Sequence, residues 1–441
     1  MGLGFVAVSD DDYARIVIAQ RFAELPRLDP SGTSWLPLPF WIYGSAFALF
    51  GPGLGVARGV AVLLGVQAAL CVWLAARWLG AGRAGALASG LLAAAFPWSV
   101  WLGAAPLPEV ATAGWLALGA ATLASETPRR RVIGAFAIAA ACFCRYEAWP
   151  IATVFAFFTL SDARRLRDRS LLGSALVSLG PILAWLLHGV VQHGDALFFW
   201  KRVAGYRQAL GGSAPLVERL VSIPAALVRD EPGVVLLLAL LALAFGSWQR
   251  WRRLLVAALA LVVFLMLGEL GGGGPTHHAA RALLPVWYLA CVLAGDALGR
   301  RLERSRSPGS AAIAPAAALA VSWFLHGALP RDLPDRRSAL AIGTKARELA
   351  APALLIDTPD YSHLAITAAF GRPQAAVPLD THDPRTARPA DVFASETALR
   401  ATLRAHPQRW LVVSRAHADP SRRVGRVRAE NDEYLLVEPG P

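Results

Sequence analysis

Long apolar runs separated by short arginine-rich segments fill this sequence between about residues 58 and 327. An α-helix needs about 20 mainly apolar residues to cross a bilayer. The chain has 441 residues, of which 55% are hydrophobic and 17% charged, and its mean hydropathy is +0.45. A soluble domain of this length does not bury so much apolar surface. The sequence therefore predicts a mainly α fold, a polytopic transmembrane helical bundle.

The apolar runs set approximate limits for the membrane spans. The predicted spans are 58–79, 84–104, 107–125, 132–160, 171–190, 233–248, 254–270, 282–299 and 311–327. The run 132–160 is too long for one ordinary span, and it carries Arg145, Glu147 and Pro150 near its centre. We therefore predict two short helices that meet at this point, so that both ends of the run face the same side.

Arginine clusters alternate with the spans and predict the orientation of the chain. They lie at 77–83, 129–131, 164–169, 250–253 and 300–306. Because such loops face the cytoplasm, the segments 1–57, 105–109, 191–232, 271–281 and the C-terminal region are predicted to be periplasmic. This topology explains the net charge of +12, so no nucleic-acid partner is predicted. Scarce lysine and abundant alanine indicate a GC-rich bacterial genome, and the predicted location is the bacterial inner membrane.

The composition changes after Pro330. We predict a transmembrane domain at 1–330, which includes the first periplasmic loop 1–57, and a small periplasmic α/β domain at 331–441. The role expected of the small domain is structural, with acceptor recognition as the alternative. Because the first loop is predicted to be outside, we expect a further helix upstream of Met1. The alternative is a protein whose N-terminus is periplasmic.

The densest acidic cluster is the run Asp10, Asp11 and Asp12, which an amphipathic stretch follows. Adjacent carboxylates repel one another, and this raises the proton affinity of at least one of them. A positioned carboxylate can then take a proton from an attacking hydroxyl. The alternative is an acidic cap for the helix that follows.

A longer motif begins with this acidic run. Its parts are Asp10-Asp11 with Tyr13, then Trp35-Leu36-Pro37-Leu38-Pro39-Phe40-Trp41, then Phe50-Gly51 and a span headed by Arg58. This order resembles the GT-C superfamily of membrane glycosyltransferases, which includes protein O-mannosyltransferases and the lipid A aminoarabinose transferase. The chain departs from the superfamily pattern in its third aspartate, in its proline segment without an adjacent proline pair, and in the absence of a first helix before the loop.

The resemblance implies a GT-C fold and a function. The expected reaction transfers a sugar from a polyprenyl-phosphate donor to a hydroxyl or amine of a lipid, glycan or protein acceptor on the periplasmic side, with inversion. Asp11 or Asp10 is the expected base, and Tyr13 is expected to bind substrate. No cofactor is expected. The partners are the lipid-linked donor, the acceptor and membrane lipids.

Acidic and basic residues at two further positions match places where the superfamily binds its substrates. Glu109 follows Pro108 at the periplasmic head of a span, where the alternative role is a helix cap. Arg145 and Glu147 are costly within a membrane unless they pair or face a polar cavity. They are expected to border the donor site, and the alternative is a buried ion pair that holds the two short helices together.

The loop 271–281 combines a glycine run with His278 and Arg281. The Arg281 guanidinium can bind phosphate oxygens in a bidentate manner and stabilise a leaving phosphate. The His278 imidazole can carry a proton or a positive charge, and both residues are assigned to substrate binding. The alternative for Arg281 is ordinary contact with the membrane interface. Carboxylates and cysteines do not accompany the loop histidines at ligand spacing, so no metal site is predicted.

Two other functions fit the same composition. A transporter or lipid-handling protein would carry charges along a pathway through its spans, whereas here the candidate residues gather at one membrane face. A catalytically silent protein that binds polyprenyl lipid is the second alternative.

Overall fold

The structure is a computed structural model whose contacts divide the chain into two compact units. It describes residues 6–125, 127–209, 215–245, 247–272, 278–304, 310–326, 333–357, 360–379, 392, 395–422 and 424–440. One unit comprises residues 31–39 and 61–330, and we call it the helical unit. The other comprises residues 1–30, 40–60 and 331–441, and we call it the mixed unit.

The helices that follow the first loop are numbered α3 to α15. They are α3 Leu54–Leu79, α4 Arg83–Ala95, α5 Pro97–Ala104, α6 Glu109–Ala121, α7 Pro128–Cys142, α8 Ala148–Leu166, α9 Ser170–His193, α10 Phe198–Ala209, α11 Leu216–Arg229, α12 Pro232–Phe245, α13 Trp248–Leu270, α14 Ala280–Arg304 and α15 Ser310–His326. Each predicted span coincides with one of these helices or with a pair of them. The predicted mainly helical bundle is therefore confirmed.

Among the described residues, four helices are long and apolar enough to cross a membrane, or five if the bent pair α4 and α5 is one span. The protein is thus a multi-pass membrane protein. Helix α14 differs from the other three long helices in its burial. Of its most apolar 18-residue segment, 94% is buried inside the protein, whereas the corresponding segments of the other helices are 28–33% buried. Their apolar faces are left for lipid, and α14 forms the core of the helical unit.

Small residues allow α14 to lie close to α4. A Cβ atom at Gly85 would meet the carbonyl oxygen of Gly295 at 2.3 Å, and one at Gly295 would meet the Ser89 hydroxyl at 1.7 Å. Close backbone approach through small residues is the usual basis of helix packing in membranes.

The span 83–104 is bent by 64° between α4 and α5. Pro97 begins α5 and cannot donate a backbone hydrogen bond to α4. The next backbone N–H, that of Trp98, donates to the fully buried carboxylate of Glu231 over 3.0 Å. Glu231 thus satisfies a backbone group that the bend leaves without a helical partner.

The break predicted within 132–160 is confirmed, because α7 ends at Cys142 and α8 begins at Ala148. The proline-rich segment of the first loop contacts this break. The Leu38 N–H donates to the Phe143 carbonyl over 3.1 Å, and the Tyr146 hydroxyl donates to the Ser34 carbonyl over 2.6 Å. Backbone groups that a continuous helix would use are therefore partly satisfied by the first loop.

The described residues of the mixed unit form a five-stranded sheet, and the predicted small α/β fold is confirmed. Its remaining elements are α1 Asp11–Glu24, α2 Leu38–Phe50, α16 Arg337–Glu348, β1 Ala353–Ile356, α17 Ser362–Phe370, β2 Ala376–Pro378, α18 Glu396–Ala405, β3 Arg409–Ser414, α19 Ala418–Arg422, β4 Gly425–Glu430 and β5 Tyr434–Pro439. The strand order is β2-β1-β3-β5-β4, with β1 parallel to β2 and β3 and the remaining pairs antiparallel.

Helix α1 of the first loop packs against α17 of the C-terminal region. The Gln20 side chain donates to the carbonyls of Ala368 and Pro52, at 3.0 and 2.8 Å. The sequence-based division at residue 330 assigned residues 1–57 to the transmembrane domain, whereas the contacts group most of this loop with residues 331–441. The reason is that α1 buries Ile16, Val17 and Gln20 within the mixed unit.

Candidate active site

The acidic run of the first loop lies in the mixed unit, at the start of α1. Asp12 is 1% exposed, and its carboxylate accepts hydrogen bonds from the N–H groups of Val8 and Ser9, at 3.0 and 3.2 Å. The Asp12 side chain thus bonds backwards to backbone N–H groups that precede the helix, as the acidic residue of a capping box does. The expected capping role therefore falls to Asp12.

Asp10 precedes α1 and makes no capping hydrogen bond with its side chain. Both of its carboxylate oxygens accept hydrogen bonds from Arg336, with Nε and Nη2 each 2.8 Å away. The Nη1 group of Arg336 donates to Asp360 over 2.8 Å. These hydrogen bonds, the one to Asp10 above all, raise the pKa of Arg336 above its ordinary value. We call Asp10, Arg336 and Asp360 the Asp10 bridge.

Asp11 is the first residue of α1 and is half-buried. The helix N-terminus favours a negative charge at this position. Tyr13, two residues later, is 3% exposed, and its hydroxyl lies 3.5 Å from the Val6 carbonyl. Burial raises the pKa of Tyr13 well above its usual range. The phenol therefore stays protonated and can donate a hydrogen bond but cannot accept a proton from an acceptor.

A second cluster lies in the helical unit, and we call its residues Glu109, Arg145, Glu147 and Arg281 the Glu109 cluster. The Glu109 side chain is fully buried and pairs with two arginines. Arg281 approaches it with Nε at 2.9 Å and Nη2 at 2.8 Å, and Arg145 donates to the same oxygen through Nη1. One carboxylate thus holds two guanidinium groups from distant parts of the chain.

Arg145 and Glu147 lie in the break between α7 and α8 and form an ion pair. Arg145 Nε donates to Glu147 over 3.1 Å, and Nη2 donates to the other carboxylate oxygen. The side chains are 17% and 12% exposed, respectively. The ion pair considered as the alternative for these residues is therefore present, and it is continuous with Glu109.

Aromatic side chains surround the same break. The Trp185 indole donates to the Tyr146 hydroxyl over 2.9 Å, and the Tyr146 ring stacks on Phe199 with centroids 4.3 Å apart. Leu36 of the proline-rich segment is buried with Trp185 and Phe199. This packing fixes the backbone on which Arg145 and Glu147 lie.

His278 is half-buried beside Trp98, with ring centroids 5.4 Å apart. Its carbonyl accepts a hydrogen bond from the Arg281 N–H at 3.1 Å, so His278 lies just before α14 and contacts the first turn of that helix. Residues 273–277 of the glycine-rich loop lie outside the described residues.

The structure thus joins Glu109, Arg145, Glu147 and Arg281 into one cluster, and it places Asp10, Asp11 and Tyr13 together at the start of α1. Sequence reasoning did not identify Arg336 or Asp360. They are separated from Asp10 by more than 300 residues, and Arg336 lies in an ordinary surface-like run, Asp335-Arg336-Arg337. A local sequence signal does not mark them.

Comparison with known proteins identifies the fold. No protein-family model and no curated protein matches the chain. Among solved structures, ArnT from Cupriavidus metallidurans bound to undecaprenyl phosphate is similar over 99% of this chain and 94% of its own, with a TM-score of 0.66 and 16% identity. The apo state of the same protein has a TM-score of 0.60.

A more distant match is the archaeal oligosaccharyltransferase AglB from Archaeoglobus fulgidus, in complex with an inhibitory peptide and a dolichol-phosphate. It is 13% identical, with a TM-score of 0.50, over 94% of this chain and 67% of its own. ArnT and AglB are both GT-C glycosyltransferases. The chain therefore has a GT-C fold, and the resemblance seen in the sequence is confirmed at the level of the fold.

Proposed function

We propose that this protein is an integral-membrane glycosyltransferase that transfers a sugar from a polyprenyl-phosphate donor to an acceptor hydroxyl or amine on the periplasmic side of a bacterial inner membrane. The observation that carries the proposal is the Glu109 cluster on a GT-C fold. Two guanidinium groups, one from the break between α7 and α8 and one from α14, meet on one buried carboxylate, and the positions of the basic loops predict that these segments share a membrane face.

In this proposal Arg281 supplies positive charge to the lipid phosphate, and Glu109 sets the plane of its guanidinium. A guanidinium fixed in this way matches phosphate geometry and stabilises the charge that develops on the leaving group. Arg145 adds a second positive charge, with Glu147 holding its orientation. The similarity to a protein bound to undecaprenyl phosphate supports a phosphate-linked lipid as the donor.

Asp11 is the proposed base. The resemblance of the first loop to the acidic pair of the GT-C superfamily supports this role, and Asp10, which Arg336 binds through both carboxylate oxygens, is the alternative base. In the reaction the acceptor oxygen or nitrogen attacks the anomeric carbon as its proton passes to Asp11. The bond from that carbon to the phosphate oxygen breaks, and its electron pair leaves with the lipid phosphate. One displacement of this kind inverts the anomeric centre.

The experiment that tests the proposal measures transfer from a panel of radiolabelled polyprenyl-phosphate sugars by the full-length protein in proteoliposomes. Asp11→Asn is compared with Glu24→Gln, which changes an exposed carboxylate at the other end of the same helix. We expect Asp11→Asn to lose about 10²- to 10⁴-fold in turnover, the usual contribution of a general base. Glu24→Gln should behave as the wild type.

Normal turnover by Asp11→Asn would show that Asp11 is not the base. If the folded wild-type protein binds undecaprenyl phosphate but transfers no sugar from any donor, a non-catalytic lipid-binding function replaces the proposed one. Movement of label across the bilayer without transfer would instead indicate a transporter.

A further inference from the structure

We propose that Arg336, from the C-terminal region, is a positioning residue of the active site, which holds the acidic run of the first loop in its working geometry. This inference rests on the proposed function, because it gives Arg336 a role in the reaction that Asp11 is proposed to assist. It also assigns the C-terminal region a part in the reaction, in place of a purely structural role or acceptor recognition.

The contact between Arg336 and Asp10 has the geometry of a strong ion pair. Two parallel hydrogen bonds of 2.8 Å join the guanidinium edge to both carboxylate oxygens. The side chains are only 17% and 22% exposed, so water screens the pair less than it would at the surface. Bidentate pairing fixes the angle between the two groups as well as their distance.

Arg336 is itself held on its other side. Its Nη1 group donates to Asp360, and Asp360 in turn accepts a hydrogen bond of 2.9 Å from the Ser362 N–H at the start of α17. Helix α17 therefore connects through Asp360 and Arg336 to Asp10. The far half of α1 is tied to the same helix by Gln20, which donates to Ala368.

Asp10 anchors the first turn of α1. Its carbonyl accepts hydrogen bonds from the N–H groups of Tyr13 and Ala14, at 3.1 and 3.0 Å. Asp11 is the adjacent residue, so a shift of Asp10 moves the proposed base with it. Arg336 also places a positive charge among three adjacent carboxylates, which offsets their mutual repulsion. A displacement of about 1 Å at a reacting group is enough to cost about 100-fold in rate.

The chain offers a matched control in the next residue. Arg337 also forms an ion pair, with Asp335 at 2.6 Å, but its side chain is 70% exposed. That hydrogen bond lowers the pKa of Asp335 to about 2. Arg336→Ala and Arg337→Ala therefore remove the same side chain, but the first breaks the ion pairs with Asp10 and Asp360 and the second breaks only the pair with Asp335.

The test uses the full-length protein and two measurements. The first is the steady-state rate of sugar transfer from the donor that the wild type uses. The second is hydrogen–deuterium exchange at the amide groups of Tyr13 and Ala14. For Arg336→Ala we expect kcat to fall about 100-fold while KM for the donor changes less than about twofold, since orientation and not donor binding is lost. Exchange at the two amides should rise about tenfold.

Arg336→Lys keeps the charge but not the planar fork, so we expect an intermediate loss of about tenfold. This variant also provides a folded protein for comparison if Arg336→Ala is poorly expressed. Arg337→Ala should match the wild type in kcat and in exchange.

Each outcome separates the two proposals. Normal kcat for Arg336→Ala in a protein whose wild type transfers sugar overturns the inference and leaves the proposed function intact, whether or not exchange rises. If the wild type transfers no sugar, the proposed function fails, and exchange then decides whether Arg336 holds the acidic run. Increased exchange in Arg336→Ala but not in Arg337→Ala supports that role, and equal exchange in both overturns it.

Discussion

Two buried clusters of the helical unit contain the same chemical groups and differ in their surroundings. Asp162, whose side chain is 5% exposed, accepts hydrogen bonds from Arg131 at 3.0 Å and from Arg253 at 2.6 and 2.7 Å. Glu109 is likewise buried between Arg145 and Arg281. Both are single carboxylates that hold two guanidinium groups.

The Asp162 cluster has further bonds that tie chain segments together. Arg131 also donates to the Thr159 hydroxyl and the Ser125 carbonyl, each over 3.0 Å, and Arg253 donates to the Leu123 carbonyl over 2.7 Å. These are carbonyls at the end of a helical segment, which need partners when they are buried. The arginines of this cluster therefore complete the backbone hydrogen bonding of the bundle.

The residues of the Glu109 cluster lie at helix starts and in a helix break. Glu109 begins α6, Arg145 lies in the break between α7 and α8, and Arg281 follows the glycine-rich loop. The difference teaches that burial and ion pairing alone do not distinguish a structural cluster from a binding site. The predicted membrane face separates them: Asp162, Arg131 and Arg253 lie beside the arginine-rich loops predicted to be cytoplasmic, whereas the Glu109 cluster lies at the helix ends predicted to be periplasmic.

The largest expected effect on stability is at Asp162. Asp162→Ala leaves two buried guanidinium groups without their carboxylate, and breaking a buried pair in this way costs about 3–5 kcal/mol. Denaturation of the purified protein in detergent measures the change in the free energy of unfolding. The control is Glu218→Ala on α11, an exposed residue whose replacement should cost less than about 0.5 kcal/mol. Equal changes in the free energy of unfolding for Asp162→Ala and Glu218→Ala would show that the Asp162 cluster does not stabilise the protein.

The next effect separates the two clusters by function. Glu109→Gln should reduce sugar transfer per folded molecule about 100-fold, because the guanidinium groups lose the charge that fixes their orientation. Asp162→Asn should lower the amount of folded protein but leave the turnover of the folded fraction close to that of the wild type. Similar turnover losses in both variants would show that the clusters do not differ in role.

Arg281 should bind the lipid phosphate more strongly than other paired arginines on the same predicted face. Arg207 provides the comparison, since it pairs with Glu269 at 2.6 Å and is 19% exposed, whereas Arg281 is 7% exposed. Arg281→Ala should weaken binding of undecaprenyl phosphate about tenfold or more, as expected for a charge-assisted hydrogen bond. For Arg207→Ala we expect less than about twofold, and equal losses would reduce Arg281 to general interfacial charge.

The smallest expected effect sets the baseline for ion pairs of this protein. Arg422 pairs with Glu430 at 2.7 Å, and both side chains are nearly half exposed. Arg422→Ala should change the free energy of unfolding by about 0.2–1 kcal/mol, because exposed pairs are screened by water and salt. A loss comparable to that of Asp162→Ala would mean that burial does not set the scale of these effects.

The sequence predicts the elements of the bundle well because the signal is local. Apolar runs of bilayer length coincide with α3, α9, α13 and α14, and the polar residues within 132–160 mark the break that separates α7 from α8. The short apolar stretches Ala353–Ile356 and Trp410–Val413 likewise carry a local signal, and they lie in β1 and β3.

The candidate site was predictable only as separate residues. Glu109, Arg145 and Arg281 were each chosen for their charge at one predicted membrane face. The sequence does not show that both arginines bind the same carboxylate oxygen of Glu109. Arg336 was missed because its partner Asp10 is remote in the chain. The helix α1 was expected, but its packing against α17 depends on shape complementarity between distant segments.

The sequence by itself determined that this is a multi-pass helical membrane protein and the approximate limits of its helices, because apolar length acts on each segment independently. Arginine position predicts which loops share a membrane face. The tertiary structure decided which arginine pairs with which carboxylate, and that most of the first loop packs with the C-terminal region. Such pairs form only when packing brings distant backbones within a few ångströms and at the correct angle. Hydrophobic periodicity does not encode that geometry, because burial is largely non-directional whereas an ion pair is not.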